Sequence, residues 1–197
     1  MKFLRKPFIW IFLLANALLF WVIQSEKNVL RVRFPKQNPE LPILAKYSPF
    51  ALTRENGREF SSKELERHPW IADFIYTRCP NQCPTMTAQL ARFQKILPKN
   101  VKIVSISVDP SHDSPETLKA FSEKFAPDRQ QWFFLTGNKE IVLQLMSDLK
   151  LGKSEDPAIH SLRYVLMDSA GQARGYYDSE DSDSMKKMLR DAATLSA

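Results

Sequence analysis

Two thiols four positions apart carry most of the chemistry this sequence offers: Cys79 and Cys83, in the run Tyr76-Thr77-Arg78-Cys79-Pro80-Asn81-Gln82-Cys83-Pro84. Thiolates are soft donors that select copper(I), zinc or iron–sulfur centres, and a pair of them can also oxidise to a disulfide. The spacing alone is common. Its setting is more specific, because the pair falls between a short apolar run, Trp70 to Tyr76, and a stretch whose Met86, Leu90, Phe93 and Leu97 recur at helical spacing. The pattern predicts a strand, a turn holding both cysteines, and a helix with Pro84 as its first residue, where a missing N–H goes unnoticed. Cys83 then sits at or near the helix cap and Cys79 just ahead of it, where unpaired N–H groups and the helix dipole favour a thiolate. Arg78 adds to that field if it points inward. The blander reading is a short stabilising disulfide, but the loop it closes is tiny and the entropic gain correspondingly small.

The elements that must position this turn follow from periodicity and punctuation. Asn56-Gly57 between Phe50–Thr53 and Arg58–Phe60 signals a hairpin. Val101–Val108 reads as a strand, and Ser114-Pro115 opens a helix to about Phe125, with Ser114 as cap. Trp132–Leu135 is a strand, Asn138–Leu149 a helix, and Arg163–Met167 with Ala173–Tyr177 a second hairpin around Asp168–Gly171. Ser184–Leu195 closes the chain as a helix. Strands alternating with helices argue for a largely parallel α/β sheet with late antiparallel strands.

The 197 residues suffice for one domain with extensions. Of 28 Lys and Arg, three (Lys2, Arg5, Lys6) precede an apolar run, leaving 25 against 22 acidic residues. That excess is too small and dispersed for a nucleic-acid protein. Two cysteines exclude a disulfide-stapled scaffold. Phe8–Ile23 is apolar apart from Asn16, with Trp10 and Trp21 near its ends, where indoles favour the headgroup layer. It ends in bulky residues that make a poor cleavage site, so it reads as an uncleaved transmembrane anchor rather than a signal peptide. The basic residues ahead of it predict a cytoplasmic N-terminus and a body on the periplasmic face of the inner membrane. The domains are then an anchor at 1–24, a proline-interrupted tether at 25–48 and a globular domain at 49–197.

Three separated segments resemble the Sco/SenC family of copper proteins, which help build the copper centre of cytochrome c oxidase. Phe74 to Thr87 is similar to that family's metal-binding motif. Val108-Asp109-Pro110-Ser111-His112-Asp113-Ser114-Pro115 resembles its second hallmark, and His160 to Gly171 its third. The resemblance, spanning roughly Phe50 to Leu195, implies a thioredoxin-like α/β fold and copper ligation by Cys79, Cys83 and His160. In such a sheet the strand after the third helix runs antiparallel beside the cysteine strand, bringing His160 to the cysteine turn. Asp109 faces the same rim, where open α/β sheets place their sites. Two thiolates and an imidazole make a trigonal site suited to copper(I), with room for a further ligand on copper(II). The stretch 150–159 is shorter than the family's usual loop, a departure that bears on how His160 reaches the sulfurs.

The remaining candidates read as structural. His68 leads into a strand, His112 enters a helix, and Met86 belongs to the core. Asp113 prepares the following helix, while Glu180, Asp181 and Asp183 suit the dipole of the last one. Asp109 either tunes the cysteines without itself binding metal or serves its own loop. The resemblance implies a metallochaperone that takes copper from a donor protein and passes it to the copper-accepting subunit of cytochrome c oxidase. The alternatives are a thiol–disulfide oxidoreductase that reduces that subunit's cysteines, a peroxide-reducing enzyme, or a tethered interaction module with an incidental disulfide.

Overall fold

A computed structural model describes residues 14, 16, 41–152 and 162–196. The chain divides into two compact units, Met1–Pro35 and Lys36–Ala197. In the first, Leu14 and Asn16 are helical. The rest of the anchor read over 1–24, most of the tether read over 25–48, and His160 lie outside the described residues. Among the described residues no helix is long and apolar enough to cross a membrane.

The second unit is a single eight-stranded mixed sheet flanked by helices. Its strands are β1 (Ala45–Lys46), β2 (Ala51–Arg54), β3 (Glu59–Ser61), β4 (Trp70–Ile75), β5 (Lys102–Ser107), β6 (Trp132–Thr136), β7 (Arg163–Met167) and β8 (Gln172–Asp178). The helices are α1 (Gln82–Phe93), α2 (Pro115–Glu123), α3 (Lys139–Asp148) and α4 (Ser182–Leu195). The spatial order is β1-β8-β7-β4-β5-β6-β2-β3, with β4, β5 and β6 parallel and every other pairing antiparallel. β1 falls in the stretch read as tether; its two residues pair with Ala173 and Gln172 of β8.

The central strands are buried on both faces, which is why β4, β5 and β6 read as apolar runs rather than alternating ones. Alternation still sorts their side chains by face. Trp70, Ala72, Phe74, Val104, Ile106, Phe133 and Leu135 share one cluster with Val142, Leu145 and Met146 of α3. Ile71, Asp73 and Ile75 take the opposite face. There α2 meets the sheet through Phe121 and Phe134, whose ring centroids lie 6.5 Å apart. α1 is pinned on that face by Tyr164 of β7, whose hydroxyl donates to Met86 O at 2.9 Å.

The turns use the expected chemistry. Gly57 (φ 79°) closes the β2–β3 hairpin and Gly171 (φ 74°) the β7–β8 hairpin, a conformation that strains any residue with a Cβ. A Cβ on Gly171 would also stand 3.1 Å from the Tyr47 ring. Ser61 and Glu64 form a capping box on a short 3₁₀ turn, Ser62–Leu65, whose Ser-x-x-Glu signature the sequence reading missed. Ser114 caps α2 by accepting from Thr117 N at 3.2 Å, with Pro115 at the first helical position. Ser114→Ala is expected to lower stability by about 1 kcal/mol, the usual worth of a helix cap, visible as a small fall in melting temperature.

Candidate functional site

The parallel strands β4 and β5 end together, Ile75 beside Ser107, and both cysteines lie just beyond that carboxyl rim. The Cys79 N–H donates to Tyr76 O at 3.2 Å, turning the chain off β4. Asn81 then stands at the N-cap of α1 without a side-chain cap bond. The helix begins one residue before Cys83, so Pro84 occupies the third helical position rather than the first. Its missing N–H is harmless there too, because none of the first four amides has a partner within the helix.

One of those unpaired amides finds sulfur instead of oxygen: Cys83 N–H donates to Cys79 Sγ at 3.3 Å. Cys79 therefore does what a capping side chain would do. Cys83 is a first-turn residue, fully buried, its carbonyl accepting from Thr87 Oγ1 at 2.8 Å. No disulfide joins them. Their acidities diverge. Burial works against the Cys79 thiolate, but the Cys83 and Asn81 amides, the Cys83 thiol and the Tyr76 hydroxyl outweigh it and bring that thiol below its ordinary value. Burial pushes the Cys83 thiol far up, and the negative charges of Cys79 and Asp73 push it further. The sequence reading expects a thiolate at the helix start, with Cys83 at or near the cap and Cys79 just ahead of it, and does not choose between them. The structure gives that role to Cys79, because the amides at a helix start point back along the axis towards the preceding residue.

Asp73 is a site residue the sequence reading missed. It sits in the middle of β4, fully buried, with Oδ1 accepting from Ser105 Oγ at 2.6 Å. Oδ2 has no hydrogen-bond partner among the described residues. Ser105 also accepts from Trp132 Nε1 at 2.9 Å, so the carboxyl ends a short polar chain across three strands. Burial, partly offset by Ser105 and its own backbone amide, drives the Asp73 pKa up to about 7. The available signal was one acid inside an otherwise apolar strand.

The loop after β5 holds the turn from its other side. Arg78 donates to Asp109 Oδ2 at 2.8 Å and approaches His112 Nδ1 at 3.1 Å. His112 Nδ1 lies 2.9 Å from Asp109 Oδ1, which also accepts from Ser111 Oγ at 2.9 Å. Burial opposes the Asp109 carboxylate, yet bonds from His112, Arg78 and Ser111 hold its pKa below the ordinary range. Asp109 thus reaches the cysteine turn through Arg78, and the Arg78 charge is shared with a carboxylate instead of standing alone beside the sulfurs. His112 is half exposed and paired with Asp109. Asp113, read as preparing α2, instead binds Thr77 and Ser107, while Ser114 alone caps the helix. His68 lies before the amino end of β4, at the far end of that strand from the sulfurs. Met86 is core, Asp181 caps α4, and Asp183 pairs with Lys186.

The register settles what β7 can bring. Trp70 faces Met167 and Ala72 faces Val165, so β7 begins beside the carboxyl half of β4, as the sequence reading required. Among the described residues no three His, Cys, Asp or Glu side chains group as a metal site. The described chain contributes two sulfur donors, and His160 precedes the start of β7 by three residues. A cavity of about 690 Å³ opens beside α1, lined by Asn81, Gln82, Gln89 and Arg92 and by Leu162 and Glu180.

The SCO1/SenC family profile matches residues 41–196. The chain belongs to the SCO1/SenC family. Its fold is thioredoxin-like α/β. A SCO1/SenC family lipoprotein from Bacillus anthracis superposes with TM-score 0.72 at 33% identity, covering 81% of this chain and all of that one. BsSco, described as a member of the Sco family of cytochrome c oxidase assembly proteins and as having a disulfide switch, gives TM-score 0.71 at 26% identity over 82% of this chain and 99% of its own. Bradyrhizobium japonicum ScoI, solved with copper bound, gives 0.63 at 25% identity over 77% and 99%.

Proposed function

We propose that this SCO1/SenC protein is a membrane-tethered copper metallochaperone for assembly of the copper centre of cytochrome c oxidase. The observation that carries the reading is the Cys79–Cys83 turn, in which one sulfur already accepts a helix amide and the other lies buried in the adjoining first turn. Two such donors favour a soft monovalent ion, and the copper-bound relative supports copper as that ion. His160 supplies the third ligand from ahead of β7, and Asp109 acts on the turn through Arg78. Copper is cargo here: it arrives from a donor protein and leaves for the copper-accepting oxidase subunit by exchange of thiolates. The cavity beside α1, next to the cysteine turn, offers a partner a place to approach. Residues 1–24 anchor the chain in the inner membrane, 25–48 tether it, and the domain read over 49–197 faces the periplasm; the lipoprotein relative supports membrane association.

A second reading, thiol–disulfide exchange that keeps the oxidase subunit's cysteines reduced, is favoured by the unequal thiols. A sulfur whose pKa is lowered beside one whose pKa is raised by complete burial suits dithiol exchange.

Loading the reduced full chain with copper(I) in detergent separates the two. About one copper per chain is expected for wild type, with near-complete loss in Cys79→Ala and in Cys83→Ala and a clear reduction in His160→Ala. No copper uptake together with brisk reduction of a model disulfide would replace the chaperone by the reductase. Undiminished copper in the histidine variant would remove His160 from the site.

A further inference from the structure

Asp113 is fully buried, and its two oxygens accept three hydrogen bonds from two different elements. Oδ1 accepts from Thr77 Oγ1 at 2.5 Å. Oδ2 accepts from Thr77 N at 3.1 Å and from Ser107 Oγ at 2.6 Å. Its own N–H is fixed to Asp109 O at 2.9 Å. A buried carboxylate is expensive unless donors surround it, so these bonds oblige Thr77 to stay where Asp113 is. The helix that follows does not need this group, because Ser114 already caps it. Every side-chain bond of Asp113 leads instead to the end of β5 or to the chain segment entering the cysteine turn.

From these contacts a continuous line of fixed geometry runs from the end of β5 through Ser107, Asp113 and Thr77 to the turn. Thr77 lies two residues before Cys79, and Cys79 in turn meets the Cys83 amide. Cys83 needs no such support, since the helix holds it. We propose that Asp113 is a positioning residue for Cys79: it clamps Thr77 to β5 so that the Cys79 sulfur stands against the first turn of α1 before any ion or partner arrives. Fixing one donor in advance lowers the ordering required at capture. This inference rests on the copper reading only for one of its two probes.

The test compares full-length wild type with Asp113→Asn, Thr77→Val, the double variant and Ser114→Ala. Ser114→Ala disturbs the same loop and weakens α2 without touching the turn. Two quantities are read: retention of copper(I) against a chromophoric chelator, and hydrogen exchange of the Cys83 amide in metal-free protein. Asp113→Asn is expected to weaken copper(I) retention about tenfold or more and to speed exchange of that amide about tenfold, a loss of local protection. Ser114→Ala should leave both unchanged, and the double variant should be no worse than the more damaged single one, because both remove one clamp. Asp113→Asn behaving like Ser114→Ala in both readouts would overturn the inference while leaving the copper reading intact. Wild type that retains no copper(I) would defeat the copper reading, and the amide readout alone would then decide about Asp113. If Asp113→Asn does not fold, Thr77→Val, which removes only the hydroxyl bond, decides by the same two readouts.

Discussion

Replacing Asp73 by asparagine is expected to stabilise the domain by about 4 kcal/mol at pH 8 and by almost nothing at pH 4. The carboxyl is fully buried and its pKa is raised from 3.8 to about 7. A raised acid binds its proton more tightly folded than unfolded, so its contribution is whole below the unfolded value and is lost as pH climbs through the folded one. Each unit of difference corresponds to about 1.4 kcal/mol, so the ionised wild type forfeits up to about 4 kcal/mol above pH 7. Asparagine keeps an acceptor for Ser105 and never ionises. Its amide, like the acid's hydroxyl, occupies the place of Oδ2, so the two neutral forms compare closely. Chemical denaturation at pH 4, 6 and 8 measures this directly. A gain of equal size at all three values, or destabilisation at pH 8, would show that Asp73 is not the buried acid described. The same buried acid also acts on its neighbours, its charge raising both the Cys83 thiol and the Tyr164 hydroxyl.

Selective modification of the two thiols is the second large effect. In reduced, metal-free protein at pH 7, iodoacetamide should alkylate Cys79 at least about 100-fold faster than Cys83, because the thiolate is the nucleophile. Bonds from two amides, the Cys83 thiol and the Tyr76 hydroxyl hold the Cys79 thiolate below its ordinary range against the effect of burial. Cys83 is fully buried and carries two nearby negative charges, and its thiol is displaced upward. Mass spectrometry of the wild-type chain, with fragmentation between the two residues, gives the two rates separately. The ratio should shrink once pH passes the lowered Cys79 value, since the Cys79 thiolate fraction then saturates while that of Cys83 still grows. Equal rates at pH 7 would remove the asymmetry on which the dithiol-exchange reading depends.

Much of the fold was legible because its elements announce themselves locally. Ser114-Pro115, Asn138 and Asn56-Gly57 each mark a boundary through the hydrogen bond or dihedral they supply, and the structure places a cap or turn at all three. β1 was not legible: two residues carry no periodicity, and only β8 makes them a strand. Pro84 was misplaced by two positions, because a proline is acceptable anywhere in the first turn and so marks the turn rather than its first residue.

The site divides along the same line. Residue type and spacing alone settled that two soft donors stand at a strand-to-helix turn, since sulfur's affinity and a helix start's unpaired amides are local properties. Which sulfur meets the helix amide, that Asp73 bears on the other, and which carboxylate bonds Thr77 and which bonds Arg78 were decided in three dimensions. Those answers depend on burial, on the direction in which helix amides point, and on residues such as Thr77 and Asp113 that lie 36 positions apart in the chain and come together only when β4 and β5 align.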